Sequence, residues 1–253
     1  MNDVNPDSPH GARSDRTPRP AAAALTKTGG FLAGFTHTLQ PYIGCAFGCE
    51  YCYVKALNVH RFHQPPLEWG DYVHPRTGIV EKLTGELARY EQRGELDSLA
   101  IFMSSATDPY QGLERRWRLA RGCLDAFVKR PPGILILQTR SPLVVDDFDR
   151  LAALGARCWL NFTLETDLDE VRAAITPRCP SVEQRFSTLA AARAAGLNIQ
   201  ITVSPCLHYS DVETFGKLLM AYGDRVIVDS YASGDGQGGR RTARTEIPDR
   251  YAA

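Results

Sequence analysis

Short runs of apolar and β-branched residues recur along this chain and alternate with amphipathic stretches of helical length. Five such runs are apolar at nearly every position, which is typical of parallel strands buried on both faces of a sheet. They span 99–104, 134–139, 158–164, 198–204 and 226–231, and a sixth strand is predicted over 35–43. The amphipathic stretches predict helices over 79–92, 113–130, 144–154, 182–195 and 211–222.

The alternation of strands and helices predicts an α/β fold with a parallel sheet and right-handed crossovers. Six βα units are too few for an eight-stranded barrel, so we expect a partial (β/α)6 TIM-like barrel over residues 29–232. Residues 1–28 are rich in Pro, Asp, Arg and Ala and are expected to form a disordered tail. Residues 233–253, with the run GDGQGG, are expected to form a flexible C-terminal tail.

The composition is that of an ordinary globular protein. Of the 253 residues, 43% are hydrophobic and 23% are charged, and 29 basic residues balance 29 acidic ones. A formal net charge of zero creates no global field that would attract nucleic acid or a membrane. No apolar stretch approaches the ~20 residues of a membrane span and no secretory signal is evident, so a cytoplasmic location is expected. Seven cysteines, an odd number, favour reduced thiols over a disulfide framework.

Three of these cysteines lie close together in the run PYIGCAFGCEYCYV. Cys45, Cys49 and Cys52 have the spacing C-x3-C-x2-C, and thiolates so closely spaced are typical ligands of an iron–sulfur cluster. A four-iron cluster normally takes four cysteines, and the next one, Cys123, lies far along the chain. One iron would therefore remain open to a substrate or cofactor.

A Cys3His zinc site, completed by His60 or His63, is the alternative to a cluster. Zinc sites usually pair two-residue knuckles, whereas this loop is asymmetric and carries Gly44 and Gly48. The pattern favours iron–sulfur chemistry and leaves open a non-catalytic zinc or iron–sulfur binding protein. Cys179, on the crossover after the fourth strand, is not expected to be a ligand.

Polar residues follow the predicted strands. The segments read SSATDPYQ (104–111), QTRSP (138–142), TLETD (163–167), SPCLHYSD (204–211) and DSYASGDG (229–236). In parallel α/β folds the active site gathers at the carboxyl ends of the strands. These segments and the cysteine loop are therefore expected to form one site.

The CxYCY motif, SSATDPYQ and the stretch ITPRCPSVEQRFSTLAAARAAGL resemble the spore photoproduct lyase-like, DNA repair photolyase-related branch of the radical S-adenosylmethionine (SAM) superfamily, over most of residues 37–231. The resemblance implies a [4Fe–4S] cluster on Cys45, Cys49 and Cys52 whose open iron binds SAM. It also implies reductive cleavage of SAM to a 5'-deoxyadenosyl radical, which abstracts a hydrogen atom from a substrate not yet identified. A low-potential electron donor such as flavodoxin or ferredoxin is implied as a partner.

Four residues fall where that family contacts SAM, namely Tyr51, Thr107, Arg140 and Thr163. Tyr51 matches the aromatic that lies against SAM. The planar guanidinium of Arg140 suits a carboxylate, which it can bind through two parallel hydrogen bonds. Thr163 is also explained by packing, because β-branched residues favour strands.

The residues for hydrogen-atom transfer depart from the family pattern. Spore photoproduct lyase carries a cysteine at the end of the second strand, where this chain has Ser105, a poorer hydrogen-atom donor. Tyr51 and Tyr53 match the tyrosine pair that would relay the radical. Cys206, after the fifth strand, is a candidate substitute donor, although free cysteine often serves as a small buried residue. Repair of thymine photoproducts in DNA therefore stands as the alternative function.

Basic residues supply a candidate contact to nucleic acid. The predicted helix 113–130 carries Arg115, Arg116, Arg118, Arg121, Lys129 and Arg130 around Trp117, and Arg240, Arg241 and Arg244 follow near the C-terminus. Arginines interleaved with an aromatic residue could contact a phosphate backbone. A solvated helix face is the alternative, because Trp117, Leu124 and Phe127 form an apolar stripe that leaves the arginines on the remaining surface.

Overall fold

The computed structural model describes residues 14–29, 32–64, 66–230, 240 and 243. The strands are β1 (Arg19–Pro20), β2 (Leu25–Lys27), β3 (His37–Leu39), β4 (Tyr42–Gly44), β5 (Val73–Thr77), β6 (Ala100–Met103), β7 (Ile134–Thr139), β8 (Cys158–Thr163), β9 (Ile199–Cys206) and β10 (Arg225–Ser230). The helices are α1 (Asn58–Arg61), α2 (Ile79–Gln92), α3 (Glu114–Trp117), α4 (Leu119–Lys129), α5 (Phe148–Leu154), α6 (Asp169–Ile175), α7 (Val182–Ala194) and α8 (Val212–Tyr222). Among these helices, none is long and apolar enough to cross a bilayer.

The large sheet has the strand order β10-β9-β8-β7-β6-β3-β2. The six strands from β3 to β10 run parallel and follow one another in chain order, and β2 pairs antiparallel with β3 at one edge. Helices lie in the connections between successive strands. This arrangement confirms the predicted α/β fold of the partial barrel type, with all carboxyl ends of the parallel strands at one edge.

The central barrel strands β6, β7 and β8 are mostly buried because they are apolar on both faces, whereas β10 at the edge of the sheet is largely exposed, although its apolar run predicts burial. β7 and β8 pair in parallel with Leu137 opposite Leu160, and both leucines are buried. The core continues outward through the apolar faces of α2 and α4, where Leu83 and Phe127 are fully buried. The Ser181 side chain caps α7 by accepting a hydrogen bond from the backbone N–H of Gln184.

The segment predicted as one strand over 35–43 forms two strands in different sheets. β3 belongs to the barrel, whereas β4 pairs antiparallel with β5 in a three-stranded sheet of order β1-β5-β4. Pro41 lies between them, and proline cannot donate a ladder hydrogen bond. The prediction of a single strand was therefore wrong, and the cysteine loop follows the small sheet instead of a barrel strand.

Two predicted helices are also interrupted. The stretch 113–130 divides into α3 and α4 at Arg118, which adopts a left-handed conformation with φ 49° and ψ 35°. The stretch 144–154 begins as a 3-10 turn over Pro142–Asp147 before α5 starts. In both places the apolar periodicity continues across the break, so periodicity alone does not reveal it.

Residues 14–28, predicted as part of a disordered tail, are included in the fold. β1 pairs in parallel with β5, β2 pairs with β3, and Ala21 and Ala24 are buried. Backbone hydrogen bonds to β5 and β3 hold this segment in the fold. The amino-acid composition of the segment does not predict such pairing. Residues 1–13 lie outside the described residues, as does most of 233–253, so the tails predicted there stay predictions.

Candidate active site

The three motif cysteines lie on the loop between β4 and the 3-10 turn Tyr53–Ala56. Cys45 and Cys49 are buried and Cys52 is partly buried, and all three are free thiols. Burial raises the pKa of the Cys45 and Cys52 thiols. Without a metal ion or another cation these side chains are neutral at physiological pH, and a bound metal would favour their thiolates.

The loop begins at a glycine that no other residue can replace without strain. Gly44 has φ +86°, and a Cβ atom there would lie 2.3 Å from the backbone oxygen of Tyr72. This close approach fixes the start of the loop against the segment that leads into β5. A side chain at Gly44 would therefore move the backbone that carries Cys45.

The segment after β6 holds the loop at the carboxyl edge of the barrel. The Thr107 hydroxyl donates to the Gly44 carbonyl, and the Gln111 amide donates to Thr107 Oγ1 over 3.1 Å. The same Gln111 side chain accepts from the backbone N–H of Ala46 at 2.8 Å. Thr107, predicted to contact SAM, is thus engaged with the loop backbone.

Arg140, on the segment after β7, lies at the centre of a buried polar network. Its Nη1 atom is 2.6 Å from Glu165 Oε1 and donates to the Tyr51 hydroxyl at 2.8 Å. The Tyr51 hydroxyl in turn donates to Glu165, and Arg185 Nη1 lies 2.6 Å from Glu165 Oε2. Two of the four residues predicted to contact SAM, Tyr51 and Arg140, are therefore brought together.

The charges in this network do not balance. Arg185 is fully buried and Arg140 is partly buried, and the two share one carboxylate, that of Glu165, whose side chain is 2% exposed. Burial alone would raise the Glu165 pKa, but the two guanidinium groups outweigh it and lower that pKa to about 2. The Nη2 atom of Arg185 is buried and has no hydrogen-bond partner in the described part of the chain. A buried surplus of positive charge is costly, so the site suits an anion.

Cys179 is the fourth sulfur at this site. Its Sγ lies 3.8 Å from Cys49 Sγ and 3.8 Å from Arg140 Nη1, which is also 3.2 Å from Cys49 Sγ. Burial alone would raise the Cys179 pKa, but the hydrogen bond from Cys49 and the guanidinium of Arg140 lower it to about 6. The hydrogen bond and burial raise the pKa of Cys49.

The structure places Tyr53 and Ser105 together, away from the arginine network. The Tyr53 hydroxyl donates to the backbone carbonyl of Ser105, and Gln40 Nε2 donates to Ser105 Oγ at 2.8 Å. Tyr51 instead contacts Arg140. The hydroxyls of the predicted tyrosine pair thus have different partners at the carboxyl edge of the barrel.

Thr163 and Cys206 are the last residues of β8 and β9. Thr163 is buried and stands two residues before Glu165 on the same strand end. Cys206 is partly buried and packs against the barrel core, with its Sγ 3.8 Å from the Leu207 carbonyl oxygen. Cys206 lies at the carboxyl edge of the barrel, where the sequence places it, and its side chain contacts the barrel core.

The histidines of the zinc alternative contact other groups. His60 stacks on Tyr72, and His63 Nε2 is 2.7 Å from His74 Nε2. Among the described residues, Asp15, His63 and His74 form a group with ligand atoms all within 4.8 Å, whereas Cys45, Cys49 and Cys52 do not. Since Zn–S bonds are ~2.3 Å long, sulfurs on one zinc ion would be closer than this limit. The three thiols as they lie are therefore not arranged around a single zinc ion.

The family model of the radical SAM superfamily matches residues 39–219. The chain belongs to the radical SAM superfamily. An uncharacterized protein of Mycobacterium tuberculosis is 26% identical over 190 residues, which make up 74% of this chain and 52% of that protein. An uncharacterized protein of Methanocaldococcus jannaschii is 26% identical over 176 residues, 70% of this chain and 62% of that protein. This radical SAM chain thus spans little more than half the length of these curated relatives.

Solved structures of spore photoproduct lyase share the fold of this radical SAM chain. A variant of that enzyme with bound S-adenosylmethionine and dinucleoside spore photoproduct has a TM-score of 0.60 at 14% identity, covering 87% of this chain and 65% of that one. A second variant has a TM-score of 0.63 at 13% identity, covering 91% and 67%. At this level of identity the likeness concerns the fold alone, and it agrees with the partial barrel.

The radical SAM superfamily is named for its cofactor and uses a [4Fe–4S] cluster, and the residues present here fit both. Three thiols on one loop supply the soft ligands that iron–sulfur clusters take. The Trp69 indole packs in the same apolar cluster as Cys45 and Cys52. Burial raises the pKa of the Cys52 thiol, and the indole N–H acts against that effect by lowering the pKa, which favours the thiolate. The unmatched guanidinium charge beside Cys49 fits the carboxylate of SAM.

The sequence did not single out Glu165, Arg185 or the proximity of Cys179. One signal was present for Arg185, which lies in the buried stripe of α7 with Val182 and Leu189. An arginine at an apolar-face position must find a buried counter-charge. For Cys179 the position along the chain gave no such signal, because only the fold brings it to Cys49.

Proposed function

We propose that this chain is an enzyme that holds a [4Fe–4S] cluster on Cys45, Cys49 and Cys52 and reductively cleaves SAM to a 5'-deoxyadenosyl radical, which abstracts a hydrogen atom from a substrate not yet identified. The observation that carries the proposal is the buried set of three thiols beside a guanidinium pair with too little negative charge. When bound, the cluster supplies the electron that breaks a carbon–sulfur bond of SAM.

The chain's own residues bind and orient the cofactor. Arg140 presents its guanidinium to the SAM carboxylate, and Glu165 and Arg185 fix the orientation of Arg140. Tyr51 packs beside this group, with the Arg140 guanidinium carbon 5.9 Å from its ring centre. Thr107 contributes by holding the cysteine loop. An electron donor of low potential, flavodoxin or ferredoxin, would reduce the cluster.

The test is anaerobic reconstitution with iron and sulfide, chemical reduction, and assay of 5'-deoxyadenosine and methionine released from SAM. A Cys49→Ala variant should release neither product, and a Cys123→Ala variant, altered in the apolar core, should release both. A colourless wild-type protein that binds zinc tightly and leaves SAM intact would overturn the proposal in favour of a non-catalytic metal protein.

A second candidate is a lyase that repairs thymine photoproducts in DNA, favoured by the fold shared with spore photoproduct lyase. The basic helix gives this candidate limited support, because Arg121 and Arg130 are engaged with Asp147 at 2.6 Å and Glu91 at 2.7 Å. Incubating the reconstituted enzyme with ultraviolet-irradiated DNA, SAM and reductant tests it. Loss of the photoproduct in step with SAM cleavage would support the lyase, and a constant photoproduct level would exclude it.

A further inference from the structure

Cys179 is held against the cysteine loop by a segment that has its own anchors. Its neighbour Arg178 places Nη1 3.0 Å from Asp71 Oδ1, and a Cβ atom on Gly70 would come within 2.5 Å of the same Nη1. The backbone of Cys179 donates to the Thr176 carbonyl at 2.9 Å. The backbone around Cys179 is therefore held by the segment before β5 and by its own crossover, independently of any pairing with Cys49.

The surroundings of Cys179 differ from those of an ordinary core cysteine. Cys123 and Cys158 are buried among the aliphatic side chains of the barrel core. Cys179 is equally buried, at 5% exposed, but its Sγ contacts Cys49 Sγ and the Arg140 guanidinium. A thiol placed between a candidate metal ligand and a cation is placed for ligand chemistry rather than for apolar packing.

We propose that Cys179 is a fourth sulfur ligand, which binds the iron left open by Cys45, Cys49 and Cys52 until SAM displaces it. This inference rests on the proposed function. The thiol releases its proton to solvent when it binds iron. When the amino and carboxylate groups of SAM replace the thiolate, Cys179 takes up a proton from solvent again, and no electron is transferred in the exchange. The Cys179 Sγ lies 3.8 Å from Cys49 Sγ, so it would be next to a cluster held by that residue.

The charge of the site supports this exchange. Arg140 and Arg185 leave one positive charge unmatched by Glu165, and a buried charge needs a partner in every state of the enzyme. The thiolate of Cys179 supplies it before SAM binds, and the SAM carboxylate supplies it afterwards. Cys179 thereby occupies the open coordination position of the iron until SAM binds.

The test compares reconstituted wild type with Cys179→Ala and Cys179→Ser, and uses Cys158→Ala as the matched control for loss of a buried thiol. Each protein is treated with ferricyanide without SAM, and iron content and electron paramagnetic resonance report whether the open iron is lost to give a three-iron cluster. Wild type and the control should retain this iron, and both Cys179 variants should lose it. SAM should also bind the Cys179 variants about tenfold more tightly, because no thiolate has to leave.

The outcomes separate this inference from the proposed function. Equal iron loss and equal SAM affinity in all four proteins would overturn the role of Cys179 while leaving the enzyme proposal intact. Failure of wild type to assemble any cluster would overturn both. The serine variant, nearly equal in size to cysteine, keeps the comparison interpretable where the alanine variant folds poorly.

Discussion

Replacing Glu165 with glutamine removes the only carboxylate found between Arg140 and Arg185 in the described structure. The side chain is 2% exposed and lies 2.6 Å from a guanidinium nitrogen of each arginine. Lowering its pKa from 4.5 to about 2 corresponds to about 3 kcal/mol in favour of the ionised form. Removing one partner of a buried ion pair costs ~3–5 kcal/mol. We therefore expect the Glu165→Gln substitution to lower the free energy of unfolding by about 3 kcal/mol.

The assay is urea unfolding of the metal-free, reduced protein, followed by circular dichroism at several pH values. The folded pKa lies below the unfolded one, so the contribution of Glu165 is present above pH 4.5 and is lost as pH falls toward about 2. The difference in the free energy of unfolding between wild type and Glu165→Gln should therefore be largest near neutral pH. It should narrow steadily below pH 4.5.

Glu213→Gln is the matched control, because Glu213 pairs with Lys217 at 2.6 Å but is 78% exposed. Exposed pairs contribute ~0.3–0.5 kcal/mol, so this variant should remain within that range of wild type. Two results would refute the account of Glu165 as a buried anion shared by two arginines. One is a decrease in the free energy of unfolding below about 1 kcal/mol for Glu165→Gln, and the other is a difference from wild type that does not change with pH.

Three further predictions concern single positions. Gly44→Ala places a Cβ atom 2.3 Å from the Tyr72 carbonyl oxygen at φ +86° and should cost at least about 2 kcal/mol in urea unfolding; wild-type stability would contradict the close approach. Arg118→Gly relieves a left-handed residue at φ 49° and should raise the free energy of unfolding by about 1 kcal/mol, whereas a decrease would argue against the break between α3 and α4. Arg140→Lys keeps the charge but loses the planar fork, so SAM should bind about tenfold more weakly by calorimetry with cluster iron unchanged; unaltered affinity would remove Arg140 from the SAM site.

Strand positions are the part of this fold that the sequence reveals best. The apolar run 134–139 coincides with β7, and the run 158–164 exceeds β8 by one residue, because doubly buried strands are apolar at nearly every position. The division of 35–43 into β3 and β4 leaves the apolar pattern unbroken. Pro41 is its one local mark, and a single proline at a strand edge does not distinguish a turn from an edge strand.

The candidate site was visible in the sequence only where its residues are neighbours in the chain. Cys45, Cys49 and Cys52 stand within one short run, so their chemistry can be inferred from spacing. Glu165 and Cys179 both lie on the crossover between β8 and β9, far along the chain from the cysteine loop, and their contacts depend on the register of the barrel strands. Such a relation appears only after the fold is assembled.

The three-stranded sheet has a practical consequence for handling this protein. β1 completes that sheet beside β5, and the next few residues form β2 at the edge of the barrel. The stretch Arg19–Lys27 therefore joins the small sheet, whose strand β4 leads into the cysteine loop, to the barrel. A protease cut or an N-terminal trimming within this stretch would disturb the sheet that leads into the cysteine loop, and would also affect the barrel core, where Ala21 and Ala24 are buried. Colourless preparations should therefore be checked for an intact N-terminus before their chemistry is judged.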